Sequence, residues 1–169
     1  MGLNLDEIHF NYNSYGKPLL NNHPNIGFNI SHSGDWIAMI WGNDGEYLGI
    51  DVEEVKPMDL HFATNLFTPQ ENQLLSSKLG DVQLDYFFQL WTLKESYVKA
   101  LGKGLTIPLN SFSVVYGDPE GWYSPEAIEF QFKSFRIDQS HILSACSKQG
   151  TLPDQIQQVS ILELYDSLQ

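Results

Sequence analysis

The chain has 169 residues, 42% hydrophobic and 13% aromatic, which is enough to build one compact domain with a buried core. Nine Lys and Arg residues against 21 Asp and Glu give a formal net charge of -12. Because nucleic acids and anionic lipid surfaces attract clustered positive charge, this composition argues against either one as a partner.

Cysteine content and hydropathy indicate a cytoplasmic protein. The single cysteine, Cys146, lies in the apolar run 142–146 and is predicted to be reduced and buried. No run approaches the roughly 18 apolar residues of a membrane-spanning helix, and the first ten residues are acidic rather than apolar. We therefore expect no membrane anchor.

Short strands with turn residues between them dominate the first 55 residues. The predicted strands cover 8–10, 26–30, 36–41 and 47–52. Hairpin-like turns at 33–35 and 42–45 favour antiparallel pairing, so this part is predicted to be a meander.

Helical signals follow Pro57. Thr68, Pro69 and Glu71 have the form of a capping box that opens a helix running to about Ser77. A longer and largely buried helix is predicted over 82–101, ended by Gly102 and Gly104. Strand patterns return at 111–115, 128–132 and 142–146, and the overall class is α+β.

Asp51 and Glu53 are the first candidate site residues. In a strand they point to the same face about 6.6 Å apart, close enough to meet one cation, while Ile50 and Val52 face the core. The alternative is the solvated face of a half-buried strand, in which Glu54 continues the acidic run.

A second candidate set follows the long helix. A spacing of four puts Trp91, Glu95, Lys99 and Lys103 along one face. A surface Glu–Lys pair is the ordinary interpretation, but this helix is apolar nearly all round, which favours a charged row inside a cleft. A phosphate-rich ligand would explain the local positive charge.

Weaker signals surround two further residues. His32, flanked by Ser31 and Ser33 at the end of a predicted strand, could donate to an anionic oxygen or bond nearby backbone in a turn. Lys17, between Gly16 and Pro18, is by itself an exposed turn lysine. The sequence contains no Walker loop, dinucleotide fingerprint, CxxC pair or HExxH motif.

Four blocks in order resemble the 4'-phosphopantetheinyl transferase superfamily, with the Sfp-type (surfactin-synthetase-activating) enzymes most similar. The blocks are Gly16–Pro18, Phe28–Ser33, Gly49–Glu53 and Trp91–Lys99 with 102–105, and the likeness covers almost the whole chain. The resemblance implies the transferase fold, in which antiparallel sheets and packed helices form two halves related by a pseudo-two-fold axis.

The resemblance also implies an activity. Enzymes of this family transfer the phosphopantetheine arm of coenzyme A to a serine of an apo acyl or peptidyl carrier protein, release adenosine 3',5'-bisphosphate and require Mg²⁺. By position, Asp51, Glu53 and Glu95 match the metal ligands, and Lys99 matches the pyrophosphate-binding lysine. Lys17, Ser31 and His32 match coenzyme A contacts, Glu95 is also a candidate general base, and Asp51, Glu95 and Lys99 are the catalytic candidates.

Compared with the two-half pattern of the family, this sequence begins late in the first half. We expect one transferase domain over 1–169, with residues 1–45 as the remainder of an incomplete first half and 46–169 as the second half. An apolar sheet face would then be exposed and could be covered by self-association or by a second chain.

Three hypotheses remain open at this level. The first is a Mg²⁺-dependent transferase that serves peptide or polyketide synthetase carriers and acyl carriers in the cytoplasm. The second is a truncated, inactive remnant that still binds carrier proteins through residues 58–101. The third is an unrelated metal-dependent phosphohydrolase.

Overall fold

The computed structural model describes residues 8–43, 47–148 and 150–167. The strands are β1 (Phe10–Tyr12), β2 (Pro18–Leu20), β3 (Gly27–Ser33), β4 (Trp36–Gly42), β5 (Leu48–Glu54), β6 (Val115–Gly117), β7 (Gly121–Tyr123), β8 (Gln131–Arg136) and β9 (His141–Ser147). The α-helices are α1 (Pro69–Ser76), α2 (Gly80–Leu101) and α3 (Ile161–Asp166). Short 3₁₀ turns cover Leu60–Asn65, Gly104–Thr106 and Leu109–Ser111.

The central sheet has the order β5-β9-β8, and the described strand pairs are all antiparallel. Strand β9 is buried at every position because it has strands on both sides and α2 packs over it. β1 pairs with β2, β3 with β4 and β6 with β7 in separate two-stranded sheets. The predicted α+β class with antiparallel sheets and packed helices is confirmed.

The predicted meander is correct for the β3–β4 hairpin and wrong for its continuation. β4 does not pair with β5, whose hydrogen-bonded neighbour is β9, with Asp51 opposite Ser144. The apolar strand β9 can be buried on both faces, so it takes the central position that sequence proximity assigned to β4. The predicted boundary near residue 45 and part of the 42–45 turn lie outside the described residues.

Helix α2 crosses the sheet and packs closely against β5. It begins at Gly80, two residues before the prediction, and ends where Gly102 adopts a left-handed conformation with φ of +63°, as expected. An ideal Cβ at Gly49 would lie 1.8 Å from Ser96 O, so only glycine permits this approach. The contact brings the acidic strand β5 directly under the charged row of α2.

A buried ion pair joins the two larger helices. The capping box of α1 is present as predicted, with Glu71 accepting from Thr68 N at 2.8 Å. Glu71 Oε1 also lies 2.9 Å from Lys94 Nζ on α2 and accepts from Val114 N at 2.7 Å. Both charged side chains are fully buried, so this network fixes α1 against the middle of α2.

Several predicted boundaries are wrong. The strand predicted over 111–115 begins only at Val115, and Ser111 is the last residue of a 3₁₀ turn. The carbonyl oxygens of Leu109 and Phe112 accept hydrogen bonds from Lys94 Nζ there and not from a neighbouring strand. The first strand begins at Phe10 instead of residue 8, and the 128–132 strand begins at Gln131. No described helix is long and apolar enough to cross a bilayer.

Candidate functional site

An open cleft of about 390 Å³ lies between β3, β5 and α2. It brings together most of the residues that the sequence singled out. Its lining residues are Ile30, Ser31, His32, Asp51, Glu53, Trp91, Glu95 and Lys99.

The acidic wall of the cleft comes from β5. Asp51 is only 3% exposed and Glu53 is half-buried, while Ile50 and Val52 face the opposite way and pack with Ala38 and Leu143. The strand alternation predicted from the sequence is therefore confirmed. A solvated acidic face is excluded for Asp51, because its carboxyl is enclosed by the cleft walls.

The facing wall comes from α2, where Trp91, Glu95 and Lys99 are half-buried and line the cleft. Lys103 was expected to continue the row. It lies beyond the last helical residue, Leu101, and is exposed, because the chain turns at Gly102. The charged row therefore consists of one acid and one base.

Lys99, Asp51 and Ser31 form a hydrogen-bonded triangle across the cleft. Lys99 Nζ donates to Asp51 Oδ1 at 2.6 Å and to Ser31 Oγ at 2.8 Å, and Ser31 Oγ donates to Asp51 Oδ1 at 3.0 Å. The other carboxylate oxygen, Oδ2, is buried without a hydrogen-bond partner in the described part of the chain. Asp51 thus retains a buried acceptor atom that no described group uses.

Burial perturbs both carboxyl groups nearest to Lys99. Desolvation raises the pKa of Asp51 to about 7, and the attraction of Lys99 only partly opposes it. Desolvation likewise raises the pKa of Glu95, with Lys99 lowering it and Glu53 adding to the rise. A cation at the cleft would favour the ionised form of both groups.

Strand β3 is fastened to β5 by side chains, a feature that sequence reasoning missed. In order, the backbone amides of Ile50, Val52 and Glu54 donate to Asn29 Oδ1 at 2.9 Å, Ser31 Oγ at 3.3 Å and Ser33 Oγ at 3.0 Å. Ser33 Oγ also donates to Glu53 Oε2 at 3.2 Å. The alternating polar residues of Asn-x-Ser-x-Ser were the available signal, since they occupy one face of a strand.

The three carboxylates share the cleft without forming a completed ligand set. Within residues 8–43, 47–148 and 150–167, no group of three or more His, Cys, Asp or Glu residues is arranged to hold a metal ion. Oxygen donors around an unpartnered buried carboxylate oxygen nevertheless suit a hard cation such as Mg²⁺. The metal assignment of Asp51, Glu53 and Glu95 stays a prediction.

The remaining candidates, His32 and Lys17, occupy different settings. His32 is exposed on β3, and its ring makes no hydrogen bond to any described residue, so the turn interpretation does not apply. Lys17 Nζ donates to the carbonyl oxygens of Leu48 at 3.1 Å and Ala100 at 3.0 Å. Lys17 therefore ties the N-terminal segment to β5 and the end of α2.

A second cleft of about 220 Å³ adjoins the first, and Lys99 lines both. Its other lining residues are Tyr15, Gly16, Lys17, Pro18, Asn29, Gly102 and Gly104. The Lys99 side chain therefore lies where the two clefts meet.

Comparison with known proteins identifies the family. Residues 47–146 match the family model described as the 4'-phosphopantetheinyl transferase superfamily. The chain belongs to this superfamily. The matched stretch contains β5 and α2, and hence the three carboxylates and Lys99. The family resemblance of the sequence is thereby confirmed.

Curated members of the superfamily support an Sfp-type assignment. The chain is 39% identical over 162 residues to the 4'-phosphopantetheinyl transferase ffp of Bacillus subtilis, covering 94% of this chain and 71% of the relative. It is 38% identical over 166 residues to 4'-phosphopantetheinyl transferase Sfp of Bacillus subtilis strain 168, covering 96% of this chain and 73% of the relative. The chain is an enzyme of the phosphopantetheinyl transferase class.

A solved structure supports the transferase fold. The holo-(acyl-carrier-protein) synthase of Bacillus anthracis, crystallised in complex with CoA (3',5'-ADP), matches with a TM-score of 0.51. The match covers 59% of this chain and 91% of the synthase at 16% sequence identity. At that identity the comparison bears on the fold.

Proposed function

We propose that this superfamily member transfers the 4'-phosphopantetheine arm of coenzyme A to a serine hydroxyl of an apo carrier protein and releases adenosine 3',5'-bisphosphate. One observation carries the proposal: carboxylates from β5 and α2 line the same cleft as Lys99. Phosphoryl transfer depends mainly on positioning and on cations that balance developing negative charge. The cleft supplies a lysine and a group of oxygen donors for that purpose.

Asp51, Glu53 and Glu95 are the residues that would hold Mg²⁺. The unpartnered Oδ2 of Asp51 and the carboxylate-only donor set support this assignment. When bound, Mg²⁺ supplies positive charge that polarises the diphosphate of coenzyme A. Ser31 and Ser33 orient two of the carboxylates by donating to Asp51 and Glu53.

Two side chains of α2 act on the reacting atoms. Glu95 lines the cleft, and its carboxylate, which a cation there would keep ionised, accepts the proton of the carrier serine hydroxyl. The serine oxygen then bonds to the phosphorus that bears the pantetheine, while the bond from that phosphorus to the bridging oxygen breaks. Adenosine 3',5'-bisphosphate leaves with the electron pair, and the Lys99 ammonium stabilises the charge that develops on it.

Coenzyme A extends over both clefts in this proposal. Lys99 lines both clefts, so a diphosphate held there leaves one cleft for each end of the molecule. Ser31 and His32 border the first cleft and Lys17 borders the second, which supports their assignment as contacts of coenzyme A. Lys17 Nζ also donates to the carbonyl oxygens of Leu48 and Ala100, which hold its side chain at the border of the second cleft.

The carrier substrates that we propose are peptidyl carriers of nonribosomal synthetases together with acyl carriers. The relative gsp of Aneurinibacillus migulanus, also named a 4'-phosphopantetheinyl transferase, is 40% identical over 136 residues.

The buried thiol of Cys146 supports a reducing, cytoplasmic environment.

Mass spectrometry tests the proposal. A purified apo carrier domain incubated with the protein, coenzyme A and Mg²⁺ should gain the mass of one phosphopantetheine arm. Asp51→Ala and Lys99→Ala should abolish the gain. Glu54→Gln is the matched control, because Glu54 belongs to the same acidic run but does not line the cleft, so this variant should retain activity.

The outcome also separates the alternatives. Carrier binding by calorimetry without any mass gain, at all Mg²⁺ concentrations tried, would contradict the transferase and identify a carrier-binding remnant. Phosphate release from coenzyme A in the absence of a carrier would identify a phosphohydrolase.

A further inference from the structure

The turn of the β3–β4 hairpin rests directly on a histidine of the central sheet. His141, the first residue of β9, is 7% exposed. An ideal Cβ at Gly34 would lie 2.8 Å from His141 Nε2 and 3.5 Å from Cε1. Gly34 also has φ of +56°, which L side chains rarely adopt. The turn backbone therefore packs against the ring edge with no room for a side chain.

The opposite edge of the ring is fixed by Asp138. His141 Nδ1 lies 2.9 Å from Asp138 Oδ2, and the backbone amide of His141 donates to Asp138 Oδ1 at 2.7 Å. Trp36 Nε1, at the start of β4, donates to Asp138 Oδ2 at 2.7 Å. Asp138 thus links the imidazole to the first residue of β4 in the hairpin.

The Nε2 atom of the same ring is buried and has no hydrogen-bond partner among the described residues. An unpartnered buried nitrogen lowers stability, so general packing would favour an apolar side chain here. The histidine instead combines a flat edge against Gly34 with a hydrogen bond to Asp138. This combination indicates a positional requirement on the hairpin.

Strand β3 transmits that position to the cleft. It runs from the turn along β5, and its serines contact both acidic residues: Ser33 donates to Glu53 and Ser31 donates to Asp51. A displaced turn would first loosen Ser33, the serine next to it, and then Ser31.

We propose that His141 is a positioning residue: by holding the hairpin turn through Gly34 and Asp138, it sets the spacing of β3 and β5 and thereby the orientation of Asp51 and Glu53. The effect on catalysis rests on the proposed function. The alignment of β3 and β5 can be measured whether or not the protein has the proposed activity.

Backbone amide exchange reports this alignment directly. The amides of Glu54, Val52 and Ile50 donate to β3 side chains at increasing distance from the turn. Gly34→Ala should raise the exchange rate about tenfold at Glu54 and progressively less at Val52 and Ile50. Gly80→Ala is the control, because Gly80 has φ of +57° but open space around its Cβ, so it reports the strain alone.

The histidine itself is tested in a double-mutant cycle. His141→Ala should also accelerate exchange at the Glu54 amide. In the variant that combines Gly34→Ala with His141→Ala, the acceleration should be smaller than the sum of the two single accelerations, because the ring that clashes with the new Cβ is gone. Trp36→Phe, which removes the indole N–H that binds Asp138, gives a milder variant if His141→Ala does not fold.

Enzyme kinetics test the effect on catalysis. Gly34→Ala should lower kcat of carrier modification about tenfold with little change in KM for the carrier, and Gly80→Ala should change neither. The proposal is overturned if Gly34→Ala matches Gly80→Ala in exchange at Glu54, or if exchange rises equally at all three amides. If the wild-type protein modifies no carrier, the proposed function fails, and the exchange gradient still decides the role of His141.

Discussion

The contact between Gly49 and α2 gives the sharpest test of how the fold builds the cleft. The variant Gly49→Ala adds one methyl group whose nearest neighbours would be Ser96 O at 1.8 Å and Ala100 N at 2.6 Å. Both are backbone atoms of a helix, so no side chain can rotate away. Because ordinary contacts begin near 3.4 Å, β5 and α2 must separate by about 1.6 Å at this point.

Stability and activity should both respond to that separation. Overpacking a rigid interface typically costs about 1–3 kcal/mol, and a backbone-to-backbone clash lies at or above the upper end of that range. The same movement separates Asp51 from Lys99, whose Nζ–Oδ1 distance is 2.6 Å. A displacement of about 1 Å at a catalytic site can lower the rate about a hundredfold, which is the loss that we expect in carrier modification.

Urea denaturation and the carrier assay, run at a temperature where the variant is folded, measure the two effects. The matched control is Gly42→Ala in β4, where the new Cβ would meet only Leu48 Cδ1 at 3.4 Å. This control should unfold within about 1 kcal/mol of wild type. If Gly49→Ala equals Gly42→Ala in unfolding free energy and in rate, the close approach of α2 to β5 is refuted.

Three further predictions concern charge. The pKa of Asp51 is raised from 3.8 to about 7, so the stability linked to its neutral form is complete below pH 3.8 and is lost as the pH rises through 7. Without added metal, Asp51→Asn should therefore unfold at a higher temperature than wild type, by a margin that grows between pH 5 and pH 8; a margin independent of pH would contradict this. Lys94→Met leaves the Glu71 carboxylate buried without its cation and should cost about 3–5 kcal/mol in urea denaturation, whereas adding Glu71→Gln should recover part of that loss. If the double variant is no more stable than Lys94→Met, the unpaired Glu71 carboxylate is not the cause of the stability loss. Isothermal titration of Mg²⁺ should show weaker binding to Glu53→Gln than to Glu54→Gln, and equal affinities would remove Glu53 from the metal site.

The family pattern and the local elements could be predicted from the sequence because their signals are local. The capping box at Thr68 and Glu71 and the helix end at Gly102 depend on residues within one or two turns. The alternation of Asp51 and Glu53 with core residues follows from strand geometry. A spacing of four placed Glu95 and Lys99 on one helix face for the same reason.

The tertiary structure decided which strands meet and what each polar group binds. Nothing near β4 in the sequence indicates that β5 pairs with β9 instead, because that choice depends on which apolar strand is buried on both faces. Burial likewise raised the pKa of Asp51 and left one of its carboxylate oxygens without a partner among the described residues, and the packing of α1 on α2 paired the buried Lys94 with Glu71. Local patterns fix the direction in which a side chain leaves its own element, whereas partners and solvation are set by residues distant in sequence, such as Lys99 opposite Asp51.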